Sequence, residues 1–407
     1  MSTIKINGSS LSTTFSVELT GSKSETNRLL LLAALYPNLT LLNDSNAHDV
    51  SVMKKALQLK SGVIDIHHAG TAMRFLTAYF SVVENAEVLL TGSDRMKQRP
   101  IALLVDALRA LGANIEYDGE EGYPPLKIKG GVLPLSSVSI AANVSSQYLS
   151  ALCLIGAKLP QGLKIELIGA ITSLPYLNMT LQLLERIGIS AKLEGQQICI
   201  SPKSEIDAIS LAVESDWSAA SYYYSIVALS KVGTKAILST LREDSLQGDR
   251  VLALIYRDFG VSTRFDNGQV ILEKISGPVS SSLAYNLKDA PDIAQTIAVT
   301  ASGLQLDCYL TGLHTLPIKE TDRLAAMKCE LEKVGVAANI DTESLRIFGQ
   351  EAHLKSATIA TYNDHRMAMA FAPLAMRVPL TIEESFVVEK SYPDFWKDLL
   401  SIGYQIF

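Results

Sequence analysis

Cysteine is scarce in this 407-residue chain and never clustered: Cys153, Cys199, Cys308 and Cys329 stand far apart, with no CxxC pair. That spacing supports neither a zinc site nor a disulfide framework, and reduced, mostly buried thiols in a cytosolic protein are the better reading. Basic charge is not in excess either. Lys and Arg number 36 against 42 Asp and Glu, a formal net charge of -6. This argues against general nucleic-acid binding, and the functional cations are expected in one cleft rather than over a face. No run approaches the ~20 apolar residues of a membrane span, and the start MSTIKINGSS lacks the apolar stretch of a signal peptide. A cytoplasmic protein, not bound to membrane, is expected. Walker, Rossmann and Ser-His-Asp patterns are missing as well, and His67 with His68 do not by themselves make a metal site.

What the chain does have is a set of apolar helices that open on polar clusters. SKSETNRLLLLAAL begins at Ser22, GTAMRFLTAY at Gly70, SSQYLSALCLIG at Ser145, WSAASYYYSIVAL at Trp217, PDIAQTIAVTAS at Pro291 and NDHRMAMAFAPLAM at Asn363. Small, polar or proline residues suit each start, and helices so poor in charge are normally buried on most sides. A more amphipathic helix follows each, opening near His48, Arg99, Pro175, Gly248, Glu320 and Pro393, at intervals of 26, 29, 30, 31, 29 and 30 residues. Successive first helices lie 48, 75, 72, 74 and 72 residues apart, so the first repeat is short by about one hairpin. Between them run β-like segments such as VLLTG, IEYDG, LKIKG, KIELIG, QVILE, LRIFG and FVVE.

The repeating unit is therefore β-α-β-α-β-β, six times over. At about 73 residues it is too long for the common solenoids. Length favours two domains of three units each. The expected fold is α/β with two similar domains, apolar helices inside and strands outside, an inside-out α/β barrel. The border falls near Val213 to Asp216. The N-terminal runs TIKING and FSVELT are able to pair with the last three units, giving a discontinuous domain of 1–19 with 214–407 and a second of 20–213. A double crossing would make a natural hinge.

The charged chemistry gathers at the helix starts. GSKSETNR sets Lys23 and Arg28 beside free helix N–H groups and the hydroxyls of Ser22, Ser24 and Thr26, a seat for an anion. HHAGTAMR and DRMKQRP add His68, Gly70, Arg74, Arg95, Lys97 and Arg99; the glycine permits close approach to backbone N–H groups. Ser145, Ser146 and Gln147 are neutral donors. LPIKETDRLAAM crowds Lys319, Glu320, Asp322 and Arg323 at one helix start, and TYNDHRMAM places His365 and Arg366 at another. Cations there oppose the helix dipole, which is tolerable when an anion shares the site. Asp322 reads as a cap, and His365 either as a ligand or as a support for its loop. If all starts face the gap between domains, Lys23, Arg28, Arg99, Lys319, Arg323, Arg366 and Lys390 surround a few carboxylates. Such a cleft suits a small polyanion with more than one phosphate or carboxylate, with Asp292 and Glu320 as proton-handling groups.

HAGTAMR, DRMKQRP, VSSQYLSAL, LPYLNMTL, APDIAQT, KETDR, YNDHRMAM and EKSYPDF, in this order, resemble the motifs of the EPSP synthase family, the 3-phosphoshikimate 1-carboxyvinyltransferases, over nearly the whole chain. The resemblance implies transfer of the enolpyruvyl group of phosphoenolpyruvate to the 5-hydroxyl of shikimate 3-phosphate, in aromatic amino-acid synthesis. It also implies addition and elimination through a tetrahedral adduct, and closure of two domains around the substrates. It would assign shikimate 3-phosphate to Ser24, Arg28, Ser145, Ser146, Ser173, Tyr176 and Lys319. Phosphoenolpyruvate would go to His68, Gly70, Arg99, Arg323, Arg366 and Lys390, with Lys23 and Gln147 touching both. Asp292 would also touch the acceptor and deprotonate its hydroxyl, Glu320 would move the proton at the methylene carbon, and Lys23 completes the catalytic set. No cofactor or metal is implied. The expected partners are small anionic molecules in the interdomain cleft, with no nucleic acid or membrane, and the protein is expected to be a monomer.

This chain departs from the common family pattern at His68, where many members carry Asn, at Phe75, where many have Pro, and at Thr315, where Asn often contacts shikimate 3-phosphate. The UDP-N-acetylglucosamine enolpyruvyl transferases share the fold and the donor, but generally use a cysteine in the loop corresponding to TGSDRMKQRP, which has none. A non-catalytic phospholigand-binding module, or an RNA-end-processing protein with related repeats, fits the net charge and the paired carboxylates less well.

Overall fold

In the computed structural model, which describes residues 3–8, 11–142, 145–171 and 174–407, the six apolar helices form the centres of two compact units. One unit is continuous, Gly21–Val213; the other joins Met1–Thr20 to Glu214–Phe407. The central helices are α1 Lys23–Leu35, α2 Gly70–Val82, α3 Ser146–Gly156, α4 Trp217–Leu229, α5 Ala294–Gly303 and α6 His365–Phe371. Helices α5 and α6 are buried along their whole length. In the continuous unit α1, α2 and α3 pack on one another, and in the discontinuous unit α5 packs on α4 and α6. Hydroxyls inside these helices are satisfied locally: Thr77 Oγ1 donates to Met73 O at 2.7 Å and Ser302 Oγ to Ala298 O at 2.9 Å. Two of the α4 tyrosines find partners across the core, Tyr223 with Tyr392 at 2.8 Å and Tyr224 with Thr263 at 2.9 Å.

Strands flank the helices in a repeated pattern. Ser61–Asp65 and Glu87–Thr91 are parallel, with α2 as the crossover between them; Leu126–Lys129 and Asn114–Tyr117 then add antiparallel. The same order recurs with Ser137–Ala141, Leu163–Ile168, Gln197–Ile200 and Ala191–Glu194, and with Ser282–Asn286, Asp307–Thr311, Leu345–Phe348 and Ala337–Ile340. Alternation along Leu163–Ile168 buries every second side chain against the helices. The chain is thus a mixed α/β protein, with five four-stranded sheets and one two-stranded sheet among the described residues. The sheets stay separate, and among the described residues no set of strands closes into a continuous barrel.

The short first repeat has a direct structural counterpart. After α1, among the described residues, Leu39–Leu42 pairs only with Ile209–Ala212, in parallel, and the chain proceeds through helix His48–Leu57 without a hairpin. The N-terminal strands complete sheets in the discontinuous unit. Thr14–Val17 runs parallel to Lys235–Ser239, and Ile4–Asn7 lies antiparallel between Leu380–Ile382 and Gln405–Ile406.

Several boundaries differ from the sequence reading. The segment from Gly248 forms a 3-10 turn, Gly248–Val251, and one helical turn, Leu252–Ile255, rather than a long helix. Pro291–Ile293 is 3-10 before α5 begins, and α6 gives way to 3-10 at Ala372–Met376, where Pro373 lacks the N–H that would continue it. FVVE is not a strand. It lies in the 3-10 helix Ser385–Lys390, entered through Glu384 at φ 47°. The helices expected near Arg99 and Glu320 start three residues later, at Ala102 and Arg323.

Two cations, the exposed Arg377 and the buried Lys274, serve the carboxyl-terminal ends of this unit's helical segments. Arg377 Nε donates to Gly303 O at the end of α5 (3.0 Å), and Lys274 Nζ donates to Phe259 O (2.6 Å). Burial, with Arg377 nearby, lowers the Lys274 pKa from 10.5 to about 8. The folded state therefore binds fewer protons than the unfolded chain between those values, and stability rises with pH across that window. The stability difference between the native protein and Lys274→Met should grow by about 1–3 kcal/mol from pH 7.5 to 10.5 in urea titrations. A difference that does not vary with pH would contradict the assignment.

Candidate functional site

The helix starts of each unit converge, and each unit carries its own charged cluster. In the continuous unit, Lys23 Nζ lies 3.3 Å from Asp49 Oδ2, a buried carboxylate at the head of helix His48–Leu57. Arg28 is buried one turn further along α1. Its guanidinium donates to Thr180 Oγ1 (2.7 Å), Ser24 O (2.8 Å), Ser150 Oγ (3.2 Å) and Tyr176 O (3.3 Å). Three of these bonds tie α1 to α3 (Ser150) and to helix Leu174–Arg186 (Thr180 and Tyr176), and the fourth closes back on α1 itself. Burial lowers its pKa to about 10, so it stays charged at neutral pH. Phe75 sets its ring 5.4 Å from this guanidinium. Arg28, expected in the anion seat, thus stands at the junction of three helices with its guanidinium held by these four oxygens.

Gly70 opens α2, and Arg99 rather than backbone fills the space a side chain would take. An added Cβ would stand 2.6 Å from Arg99 Nη1 and 3.1 Å from its Cζ. The guanidinium therefore lies over the first turn of α2, and no carboxylate among the described residues pairs with it. Arg99 is fixed through its neighbour. Pro100 O accepts from Tyr148 Oη at 2.6 Å and from Arg74 Nη2 at 3.1 Å, and Arg74 Nη1 also reaches Gly70 O at 3.2 Å. Ser145 caps α3 by accepting from Gln147 N, while Gln147 Nε2 donates to Thr71 Oγ1 at 3.3 Å and joins the starts of α2 and α3. Ser146 is buried in the first turn of α3. His68 Nδ1 meets Ser93 Oγ at 2.8 Å. Ser173 lies outside the described residues.

In the discontinuous unit the cations are held by acids. Asp292, in the 3-10 turn before α5, has Oδ1 at 2.9 Å from Arg323 Nη1 and 3.6 Å from Lys319 Nζ; its Oδ2 is 3.1 Å from Arg366 Nη2. Arg323 also pairs with Glu320 (2.9 Å) and, through Nε, with Asp364 (2.6 Å), and Lys390 Nζ lies 3.4 Å from the other Glu320 oxygen. Because the helix starts at Arg323, Glu320 precedes it, and Asp322 is the cap, accepting from Leu324 N and Ala325 N. Asp364 caps α6 by accepting from Arg366 N. Arg366 Nη2 also reaches Ser218 Oγ at 3.3 Å, and Ser218 donates to Asp249 Oδ2.

These neighbours set the proton affinities. Burial raises that of Asp292, but Arg366, Lys319 and Arg323 together pull its pKa well below the usual carboxylate range. Burial, then the charge of Asp292, pushes Asp249 up to about 6. Asp49, Ser218, Asp249 and the capping role of Asp364 shape these clusters. Of these, only Asp364 carried a sequence signal, as an acid directly before a helix. An ionised carboxylate surrounded by three cations is a hydrogen-bond acceptor at rest. Anions that draw those cations away would free it to accept a proton.

The family model for EPSP synthase (3-phosphoshikimate 1-carboxyvinyltransferase) matches residues 38–399. A protein of Bacteroides fragilis (strain YCH46) named 3-phosphoshikimate 1-carboxyvinyltransferase is 44% identical over 394 residues, covering 96% of this chain and 95% of its own. One of the same name from Xenorhabdus nematophila is 34% identical over 423 residues, covering 95% and 96%. Among solved structures, an EPSP synthase from Acinetobacter baumannii superposes with a TM-score of 0.80 at 19% identity, covering all of both chains. The enolpyruvyl transferase NikO from Streptomyces tendae gives 0.75 at 13% identity, covering 100% and 98%. The two structures share the two-domain fold.

The depressed pKa of Asp292 makes an acid-side prediction. Its stabilising contribution is whole above its unfolded pKa, near 3.8, and is lost as pH falls towards the lower folded value. Asp292→Asn leaves three cations, two of them buried, short of a counter-charge and should cost the unliganded protein about 2–4 kcal/mol at neutral pH. The gap between variant and native protein should shrink on acidification below about pH 4 in denaturant titrations. A gap that widens in acid would overturn the arrangement.

Proposed function

The chain belongs to the EPSP synthase family, and from that premise we propose how its own residues transfer the enolpyruvyl group of phosphoenolpyruvate to the 5-hydroxyl of shikimate 3-phosphate, releasing phosphate. The observation that carries the proposal is Arg99 lying over the Gly70 helix start with no acid partner among the described residues. A guanidinium at the positive end of a helix is unfavourable alone and favourable once a phosphate or carboxylate joins it.

Phosphoenolpyruvate is assigned to His68, Gly70, Arg99, Arg323, Arg366 and Lys390, and shikimate 3-phosphate to Ser24, Arg28, Ser145, Ser146, Ser173, Tyr176, Asp292 and Lys319. Lys23 and Gln147 serve both. Arg28 contributes by holding the Ser24 and Tyr176 carbonyls in place. As the donor's anionic groups take Arg366 and Arg323, Asp292 loses counter-charge and its proton affinity rises toward a useful range. It then accepts the 5-hydroxyl proton while the oxygen bonds to C2 of the donor, and a proton reaches the methylene carbon from Glu320. In the second step the C2–O bond to phosphate breaks and the leaving phosphate takes the proton held by Asp292, while the new methyl group returns a proton to Glu320 and the enol ether forms. Preorganised cations stabilise the tetrahedral adduct between the steps.

The two compact units serve as the two domains of this reading, and the protein is taken to be a cytoplasmic monomer; size-exclusion chromatography with light scattering checks the latter. Phosphate release from phosphoenolpyruvate, measured with either shikimate 3-phosphate or UDP-N-acetylglucosamine as acceptor, tests the whole. Release with the sugar nucleotide alone, or with neither, would reject it.

Three substitutions test the assignments. Arg99→Lys should raise the KM for phosphoenolpyruvate roughly 10- to 150-fold, because a point charge cannot replace a bidentate pair. Gly70→Ala should act in the same direction by displacing the guanidinium. Neither should change the Kd of shikimate 3-phosphate. Asp292→Asn should keep most acceptor affinity yet lower single-turnover rates by ~10²-fold or more. Unchanged chemistry with weakened acceptor binding would make Asp292 a positioning residue only.

A further inference from the structure

The segment 360–364, which leads into α6, is held in an unusual backbone. Tyr362 and Asn363 both have φ near 55°. Asn tolerates this left-handed region, but for a residue as bulky as Tyr it is an outlier. Such strain persists only where the surroundings over-determine it, and it gathers at functional sites.

The surroundings here are specific. Glu330, on helix Arg323–Lys333, is fully buried, yet its carboxylate is satisfied on every side. It accepts from Tyr362 Oη at 2.6 Å and from Ala360 N at 3.1 Å, and Lys333 Nζ lies 2.8 and 2.9 Å from its two oxygens. Thr361 Oγ1 donates to Glu384 at 2.9 Å, and Asp364 N donates back to Thr361 O at 2.9 Å. Helix Arg323–Lys333 therefore grips the segment at two points. Arg323 holds the Asp364 carboxylate, and two turns later Glu330 holds the ring hydroxyl and backbone just before it. Asp364 in turn fixes the first turn of α6, from which Arg366 reaches Asp292.

We propose that Glu330, acting through Tyr362, is a positioning residue for Arg366: it holds the left-handed turn that aims the Arg366 guanidinium at the donor site. Burying a carboxylate merely to stabilise a helix would be a poor choice, since apolar residues of similar volume usually do as well. A buried charge that organises a strained turn has a use that an apolar side chain cannot supply. Neither residue touches Asp292 or another group assigned to a substrate. Their effect passes through the backbone at 362–364. The proposal rests on the assignment of Arg366 to phosphoenolpyruvate.

Tyr362→Phe removes the hydroxyl and keeps the ring, and Glu330→Gln keeps the volume and removes the charge. Each should raise the KM for phosphoenolpyruvate roughly three- to tenfold, the scale of one hydrogen bond. The Kd for shikimate 3-phosphate should stay within about twofold, and Glu330→Asp should fall between Glu330→Gln and the native protein. Lower thermal stability with unchanged KM would make the pair structural only and overturn the proposal. An equal rise in both constants would overturn it too. Arg366→Lys is measured in parallel. If it leaves the donor KM unmoved, the assignment of Arg366 fails and the proposal falls with it. If it raises the donor KM while Tyr362→Phe and Glu330→Gln do not, only the positioning role fails.

Discussion

Asp292 and the cations around it are the constraint on which the discontinuous unit depends. The starts of α4, α5 and α6 meet, so their positive dipole ends add. Arg323 and Arg366, both buried, are placed on top of them. Two unit charges 4 Å apart interact with about 4 kcal/mol at an effective dielectric of 20. Guanidinium groups gathered at helix starts are therefore not tolerable without negative charge. In the ligand-free chain Asp292, Glu320 and Asp364 supply it. These carboxylates stabilise the cluster by supplying the negative charge its guanidinium groups need.

The continuous unit solves the same problem differently. Arg28 and Arg74 are buried and bonded largely to carbonyl and hydroxyl oxygens, which makes them braces between helices. Lys23 has one buried acid, Asp49. Arg99 lies over a glycine with no carboxylate partner among the described residues, which leaves its charge uncompensated there. Neutral donors at Ser145, Ser146 and Gln147 complete the surface without adding charge that would need compensation. Enolpyruvyl transfer asks for both arrangements. The adduct carries a phosphate and a carboxylate on one carbon, and protons must move beside them without the cations being lost to water.

Loops carry much of the precision. Pro100 O is held by Tyr148 and Arg74, and so fixes the residue before it. The left-handed pair Tyr362 and Asn363 does the equivalent work for α6. In both places a side chain distant in sequence decides where a guanidinium points, and the helix contributes only its end.

The repeat, the six buried helices, the missing hairpin and the charged motifs are all legible in the amino-acid order. These follow from local periodicity: apolar runs at helical spacing, β-branched runs between turns, and cations at helix starts are visible within about a dozen residues. Caps were legible for the same reason, as at Asp322 and Asp364. Tertiary structure decided what each charge does. Arg28 and Arg99 look alike in the sequence, but one is surrounded by Thr180, Ser150 and Tyr176 while the other lies over Gly70. Asp49 and Glu330 look like ordinary helix acids until Lys23 and Tyr362 are brought to them. The 3-10 turns near Gly248 and Ser385, and the separation of the sheets, likewise depend on contacts between distant segments. A charge acquires its role from the dielectric and the partners around it, and those are set by residues that packing brings together from far along the chain.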